Sequence, residues 1–394
     1  MYEIRIIGAF VLSLLVILLL SKKEIGVAIF TGAVLLGLIT IPIKQLLSLT
    51  LNTFLNLNNL ILAFAIGLIP IIGGLLSETG LLDKMVRNFP LGKRAFLMFS
   101  PAFLGLLTIP GGALFSAPLV NNGGQGLSNT RKASINVWFR HVLHIVYPLA
   151  PTLIIACELA GYSVYYLIPY LVPYFVLSMA IGFLYLLRKA SNEDIMRYEH
   201  NLRDFLIPVF IILLAPIIDF LLRAVAGLKS LATLIGVTVA LLVMVIYARI
   251  DLKTLSKVSK KMKPWSFAFL ILAVLEYQAV FMNSGVSPLI SKANLDPIVI
   301  IFIGFILGFL TGRTSTPIVI LIPIFKGAYG IISPLYLSLM YYFILLGYII
   351  SPVHPCLIVT AQYFRISVGE VIKDLYKASL MALIGGFLIS LPLL

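Results

Sequence analysis

Pro148-Leu-Ala-Pro-Thr-Leu-Ile-Ile-Ala-Cys-Glu-Leu-Ala-Gly-Tyr-Ser163 returns half a chain later as Pro352-Val-His-Pro-Cys-Leu-Ile-Val-Thr-Ala-Gln-Tyr-Phe-Arg-Ile-Ser367. Upstream of each lies a second matched pair, Leu104-Gly-Leu-Leu-Thr108 and Leu307-Gly-Phe-Leu-Thr311, at nearly the same offset. A proline in mid-helix removes an amide donor and clashes with the carbonyl one turn back, so two within four residues unwind the backbone. A membrane chain that repeats such a segment once per half is expected to contain two copies of one unit. In transporters built this way the substrate sits where the copies meet.

That the chain is a membrane protein follows from composition. Apolar residues make up 61% and charged residues only 11%, outside the range of soluble domains. Ile6–Ser21 and Ser230–Ala248 carry no charge at all, and runs of that length approach the ~20 residues that cross a hydrocarbon core. The first run has no basic leader or small-residue cleavage site, and Lys22-Lys23-Glu24 follows it, so it reads as a first span. Cys157 and Cys356 lie in apolar surroundings and suggest neither a disulfide nor a metal cluster.

The net charge of +14 has a location. With the N-terminus outside and sides alternating, only Arg5, Lys44, Arg223, Lys229, Lys292 and Lys326 fall on the outer face. Arg140 and Arg313 fall at membrane depth, and every other Lys and Arg falls inside. This is the positive-inside pattern, which accounts for the basic balance without a nucleic-acid partner.

Uncharged runs predict spans near 4–21, 25–42, 58–77, 135–160, 164–188, 204–222, 230–248, 265–283, 333–362 and 376–394. Two more apolar segments, about 95–120 and 297–325, are broken by Ile109-Pro-Gly-Gly112 and Gly312-Arg-Thr-Ser-Thr-Pro317. Breaks exposed to lipid would leave backbone groups without partners, so both are expected to face protein or a wet cavity. Read as re-entrant helical hairpins they keep the charge pattern consistent; read as full spans they would put basic loops outside. The expected fold is therefore an all-α polytopic membrane protein of two inverted-topology repeats, residues 1–188 and 204–394, joined by a cytoplasmic linker over 189–203. Each repeat carries about five spans, one re-entrant hairpin and one discontinuous helix (135–160 and 333–362). An odd number of spans per copy inverts the second.

The binding candidates sit at the breaks. In the first half these are Thr108, Pro110, Gly111 and Gly112 at the hairpin tip, and Pro148, Ala150, Pro151 and Thr152 in the broken segment. In the second they are Thr311, Gly312, Arg313, Thr314, Ser315 and Thr316 at the tip, with Ser351, Pro352, His354 and Pro355 in the broken segment. Freed carbonyls and amides, hydroxyls and glycines suit an ion or an anionic solute. An arginine at membrane depth needs a reason, and Arg313 reads either as a fork for a substrate carboxylate or as the partner of an internal acid or of carbonyls. Glu276 could carry a coupling proton or fix helix packing. His141 and His144 share a helical face after Arg140. Without a third ligand at suitable spacing they make a poor metal site, which leaves proton or packing roles. No Walker A loop, zinc-protease motif or nucleophile elbow is present.

Ile109-Pro-Gly-Gly-Ala-Leu-Phe-Ser-Ala-Pro118 and Ser351-Pro-Val-His-Pro-Cys-Leu357 resemble the prokaryotic domain-of-unknown-function family 401, grouped with the ion transporter superfamily of gluconate, dicarboxylate, citrate and arsenite carriers. The resemblance covers nearly the whole chain. It implies two inverted repeats, an elevator-type motion against a homodimeric scaffold, and a place in the prokaryotic cytoplasmic (inner) membrane. Dicarboxylate carriers of that superfamily hold a Ser-Asn-Thr triplet at the hairpin tips, and the asparagine is missing from both tips here. Sodium coupling and dicarboxylate specificity therefore do not carry over.

The resulting expectation is a secondary active transporter of a small anionic organic solute. It is coupled to H+ or Na+, has no other cofactor and no enzymatic activity, is multi-pass in the bilayer, and has both termini outside. An intramembrane enzyme using His141, His144 and Glu158, and a passive channel, stand as alternatives.

Overall fold

The computed structural model describes residues 2–21, 24–90, 92–106, 112–190 and 201–393. It is helical throughout, with no strand among the described residues. The first half runs α1 (Tyr2–Leu20), α2 (Ile25–Thr40), α3 (Ile43–Leu55), α4 (Leu57–Glu78) and α5 (Leu81–Arg87). It continues through α6 (Lys93–Leu106), α7 (Ala113–Gly123), α8 (Asn129–Val142), α9 (Pro151–Ala160) and α10 (Val164–Ile181). The second half opens with α11 (Leu202–Ala226), α12 (Ser230–Tyr247), α13 (Leu252–Met262), α14 (Pro264–Asn283) and α15 (Val286–Lys292). It closes with α16 (Pro297–Thr311), α17 (Ser315–Tyr329), α18 (Pro334–Ile349), α19 (Pro355–Phe364) and α20 (Val368–Ser390).

Helix by helix, the two halves keep one order, and the punctuation repeats with it. Left-handed Gly80 and Gly285 open α5 and α15. Ser128 and Ser333 cap α8 and α18, while Ser163 and Ser367 cap α10 and α20. Such hydroxyls satisfy amides that a helix start leaves orphaned. Contacts between the halves come in reciprocal pairs: α2 packs on α14 and α12 on α4, α7 on α19 and α17 on α9, α8 on α20 and α18 on α10.

The predicted spans at 135–160 and 333–362 are both split. After α8, a 3₁₀ turn over Leu143–Ile145 leads to a helix that restarts at Pro151. After α18 the chain leaves helical form and restarts at Pro355. In each case proline stands at the first helical position, where its missing amide costs nothing.

Both interrupted segments are helical hairpins. Gly123 at the end of α7 lies against Phe96 near the start of α6, and Lys93 Nζ donates to the Gln125 carbonyl at 3.2 Å. The end of α17 likewise meets the start of α16, where the Tyr329 hydroxyl donates to the Leu295 carbonyl. Gly312, with φ of 59°, makes the turn, a conformation that glycine adopts without a Cβ penalty.

Among the described residues six helices are long and apolar enough to cross a membrane: α1, α4, α10 with its π-helical extension to Leu186, α11, α12 and α14. Outward apolar side chains such as Leu12, Leu15 and Leu19 on α1, and Phe210, Ile217 and Leu221 on α11, are exposed. In water such stripes would be a liability; in lipid they are the expected surface. The centre is opposite in character. On α8 every residue from Ala133 to Val142 is buried, and on α18 nearly every residue from Leu337 to Ile349. These two helices lead into the broken segments, so the breaks lie deep in protein.

Four helices fell in segments not read as spans: α3, α5, α13 and α15. The basic α13 is strongly amphipathic. It buries only Val258 and Met262, which pack over Gly74 of α4, as suits a helix lying at a membrane face. Of the predicted linker, residues 191–200 lie outside the described residues.

Candidate functional site

Between the first broken segment and the second hairpin tip lies a cavity of about 280 Å³. Ala150, Pro151 and Thr152 line one wall, Arg313, Thr314 and Ser315 another, and His144, Tyr147, Tyr348 and Ser266 complete its polar edge. A second cavity of about 510 Å³ opens on the other side of the tip, against Thr311, Gly312, Arg313, Val353 and Pro355. Arg313 lines both. Its guanidinium makes no hydrogen bond or ion pair with any described residue, although its backbone amide is held by Thr311 Oγ1 at 3.3 Å.

The second tip is fixed from beneath. The Thr311 hydroxyl donates to the Leu307 carbonyl at 2.7 Å and to the Arg313 carbonyl at 3.2 Å. Ser351 Oγ donates to the Phe309 carbonyl at 2.5 Å, tying the broken segment to α16. The Thr316 hydroxyl is fully buried without a partner.

Gly112, at the start of α7, is held by a different cation. Arg140, almost wholly buried, donates from one guanidinium nitrogen to the Gly112 carbonyl at 3.0 Å and to Ser116 Oγ at 3.4 Å. Nearby, His144 Nε2 donates to the Gly105 carbonyl at 2.6 Å. The Tyr341 hydroxyl donates to the His144 carbonyl at 3.0 Å and lies 3.4 Å from Thr152 Oγ1. The first broken segment is thus anchored to α18 of the opposite half.

The predicted residues are therefore distributed unevenly. Ala150, Pro151, Thr152, Arg313, Thr314 and Ser315 converge on one cavity. Thr311, Gly312 and Pro355 face the other. Gly112 and Ser351 take part in hydrogen bonds beside the tips, the Thr316 hydroxyl is buried without a partner among the described residues, and Pro148 and Pro352 line neither cavity. Thr108, Pro110 and Gly111 lie outside the described residues. Glu276 is elsewhere: fully buried in α14, its Oε1 accepts from Thr50 Oγ1 of α3 at 2.7 Å, and its Oε2 has no partner. Glu158 is exposed, with Arg223 and Lys229 as its electrostatic neighbours, so it does not join the histidines.

Sequence reasoning did not single out Tyr147, Tyr348 or Ser266. Tyr348 had a signal, because it occupies in the second half the place of His144 in the first. It also missed that His354 comes to His141, with ring centroids 4.7 Å apart. The Tyr348 ring packs on His354 at a tilt of 39°, with centroids 3.9 Å apart.

A family model described as protein of unknown function (DUF401) matches residues 7–392. No curated protein matches the chain.

Proposed function

This chain belongs to the DUF401 family, and for it we propose secondary active transport of a small anionic organic solute, coupled to H+ or Na+. The observation that carries the reading is Arg313. A guanidinium with no hydrogen-bond or ion-pair partner among the described residues, on a hairpin tip between two cavities, is a costly feature at membrane depth unless a ligand uses it. Its planar fork matches a carboxylate, and Thr152, Thr314 and Ser315 supply hydroxyls around the same cavity.

The proposal includes kinship with the ion transporter superfamily, inverted repeats with re-entrant hairpins, an elevator-type motion in a homodimer, and both termini outside the prokaryotic cytoplasmic membrane. The reciprocal contacts between halves support a two-fold relation. Polar contacts across the chain support the side assignment. Glu3 with Lys292 and Tyr162 with the Ile332 carbonyl join segments assigned outside. Glu78 with Lys257 and Arg131 with Asp374 join segments assigned inside.

The test is uptake by proteoliposomes of labelled mono-, di- and tricarboxylates under an imposed proton or sodium gradient. Accumulation above the external concentration is expected for at least one acid. Flux that never exceeds equilibration would instead establish a channel, and a chemically altered product an enzyme.

A further inference from the structure

We propose that His141, His354 and Cys356 form a binding site for one soft monovalent metal ion, Cu(I), bridging the two halves. The ligand atoms of these three residues lie within 4.8 Å of one another. Metal–nitrogen and metal–sulfur bonds of about 2.0–2.3 Å separate ligands around one ion by roughly 3.5–4 Å. Side-chain rotations of under about 1 Å therefore close the site.

The two imidazoles are prepared for this use. His141 Nδ1 lies 2.7 Å from the Val137 carbonyl and His354 Nδ1 lies 3.4 Å from the Ile349 carbonyl. A carbonyl can only accept, so each Nδ1 carries the proton and each Nε2 presents a lone pair. This is the arrangement in which metal-binding histidines are oriented by a carbonyl behind them. The Nε2 of His354 is fully buried and has no partner. A buried acceptor left empty is unfavourable, and a bound ion would remove that cost. The Nε2 of His141 has only the Tyr348 hydroxyl, at 3.4 Å. The Tyr348 ring also packs against both imidazoles, with centroids 5.2 Å from His141 and 3.9 Å from His354, and covers one side of the cluster.

Position in the repeat argues for design rather than chance. His354 stands where the first broken segment has Ala150, and Cys356 where it has Thr152. Both ligands are thus installed in one copy only, two residues apart around Pro355, and meet a histidine contributed by the other copy. Cys356 is half-buried and follows Pro355, which lines the 510 Å³ cavity, so the ion has a way in.

Charge selects the ion. Thiolate and imidazole suit both Cu(I) and Zn(II). Arg140 acts electrostatically on both histidines and on Tyr348, and Arg313 acts on Tyr348. With Cys356 ionised, its proton released to solvent as the metal–sulfur bond forms, Cu(I) leaves a neutral cluster. Zn(II) would leave a net positive one beside a buried guanidinium, which a low-dielectric interior penalises.

The test uses the full chain purified in detergent, titrated anaerobically with Cu(I) against a competing chelator, with metal content measured after desalting. One Cu(I) per chain is expected, with X-ray absorption showing one sulfur and two nitrogen ligands. Cys356→Ser and His354→Ala should each weaken retention at least tenfold, and Cys157→Ser should not change it. If those two variants fail to fold, the wild-type stoichiometry and ligand set decide alone. No Cu(I) retained by the wild-type chain, retention undiminished in folded Cys356→Ser, or a preference for Zn(II) overturns the proposal. Transport is not measured, so this result and the uptake assay stand or fall separately.

Discussion

Gly105 of α6 presses directly on the Arg140 carbonyl of α8, so close that a methyl group built on the glycine would overlap the oxygen. The contact recurs where Gly308 of α16 meets the Ile344 carbonyl of α18. Each hairpin is thereby set flush against the helix that leads into its half's broken segment, as small residues permit in membrane interiors. Gly105→Ala and Gly308→Ala should each destabilise by about 1–3 kcal/mol through overpacking. Gly8→Ala, with open space around it, should be neutral or slightly stabilising, because alanine is the better helix former. Thermal unfolding in detergent measures all three. Equal melting temperatures for Gly8→Ala and Gly105→Ala would contradict the close crossing.

Arg313 and Arg140 should respond differently to substitution. Arg313→Gln removes a cation that has no hydrogen-bond or ion-pair partner among the described residues, so stability should hold while uptake of the anionic substrate falls at least tenfold, about 1.4 kcal/mol. Arg313→Lys should fall between, having charge without the fork. Arg140→Gln instead abandons the Gly112 carbonyl and Ser116. It should lower stability by about 1–3 kcal/mol. Unchanged uptake in Arg313→Gln would remove the argument for an anion.

These contrasts mark how far the sequence could be read. Long apolar runs and the paired Pro-x-x-Pro segments were legible because lipid leaves the backbone few options, and the two breaks fall where proline demands them. Amphipathic α3 and α13 were not, since their charges resemble loops until Val258 and Met262 are seen packing on α4. The two arginines looked alike in sequence. Only the fold separates Arg140, hydrogen-bonded to a carbonyl and a hydroxyl, from Arg313, whose guanidinium has no hydrogen bond or ion pair among the described residues. The meeting of His141 with His354 and Cys356 depends on how the halves dock, and its only trace was the mismatch of Ala150 and Thr152 with His354 and Cys356.

Among the described residues Thr50 is the single donor to the buried carboxyl of Glu276. Thr50→Val keeps the shape but leaves both carboxyl oxygens without partners, and should cost about 1–3 kcal/mol. Glu276→Gln keeps an acceptor for Thr50 and should cost less. If Glu276 carries the coupling proton, Glu276→Gln also abolishes accumulation driven by a pH gradient while leaving equilibrative exchange. Normal pH-driven accumulation in that variant would confine Glu276 to packing α14 on α3.

Lys257 with Glu78, at 2.6 Å, and Lys292 with Glu3, at 2.8 Å, should lie on opposite faces of the membrane. Both lysines are well exposed, and solvent screening leaves such surface pairs little part in stability. Each can therefore be replaced by cysteine with little loss of stability. In a Cys157→Ser/Cys356→Ser background, a membrane-impermeant thiol reagent applied to intact cells should label Lys292→Cys and spare Lys257→Cys. Inverted membrane vesicles should reverse the pattern. The side assignment requires this, because Lys257 follows an odd number of crossings from Glu3 and Lys292 an even number. Labelling of both from one side would mean that α14 does not cross the bilayer. The two halves could then not be inverted copies, however closely their helices correspond.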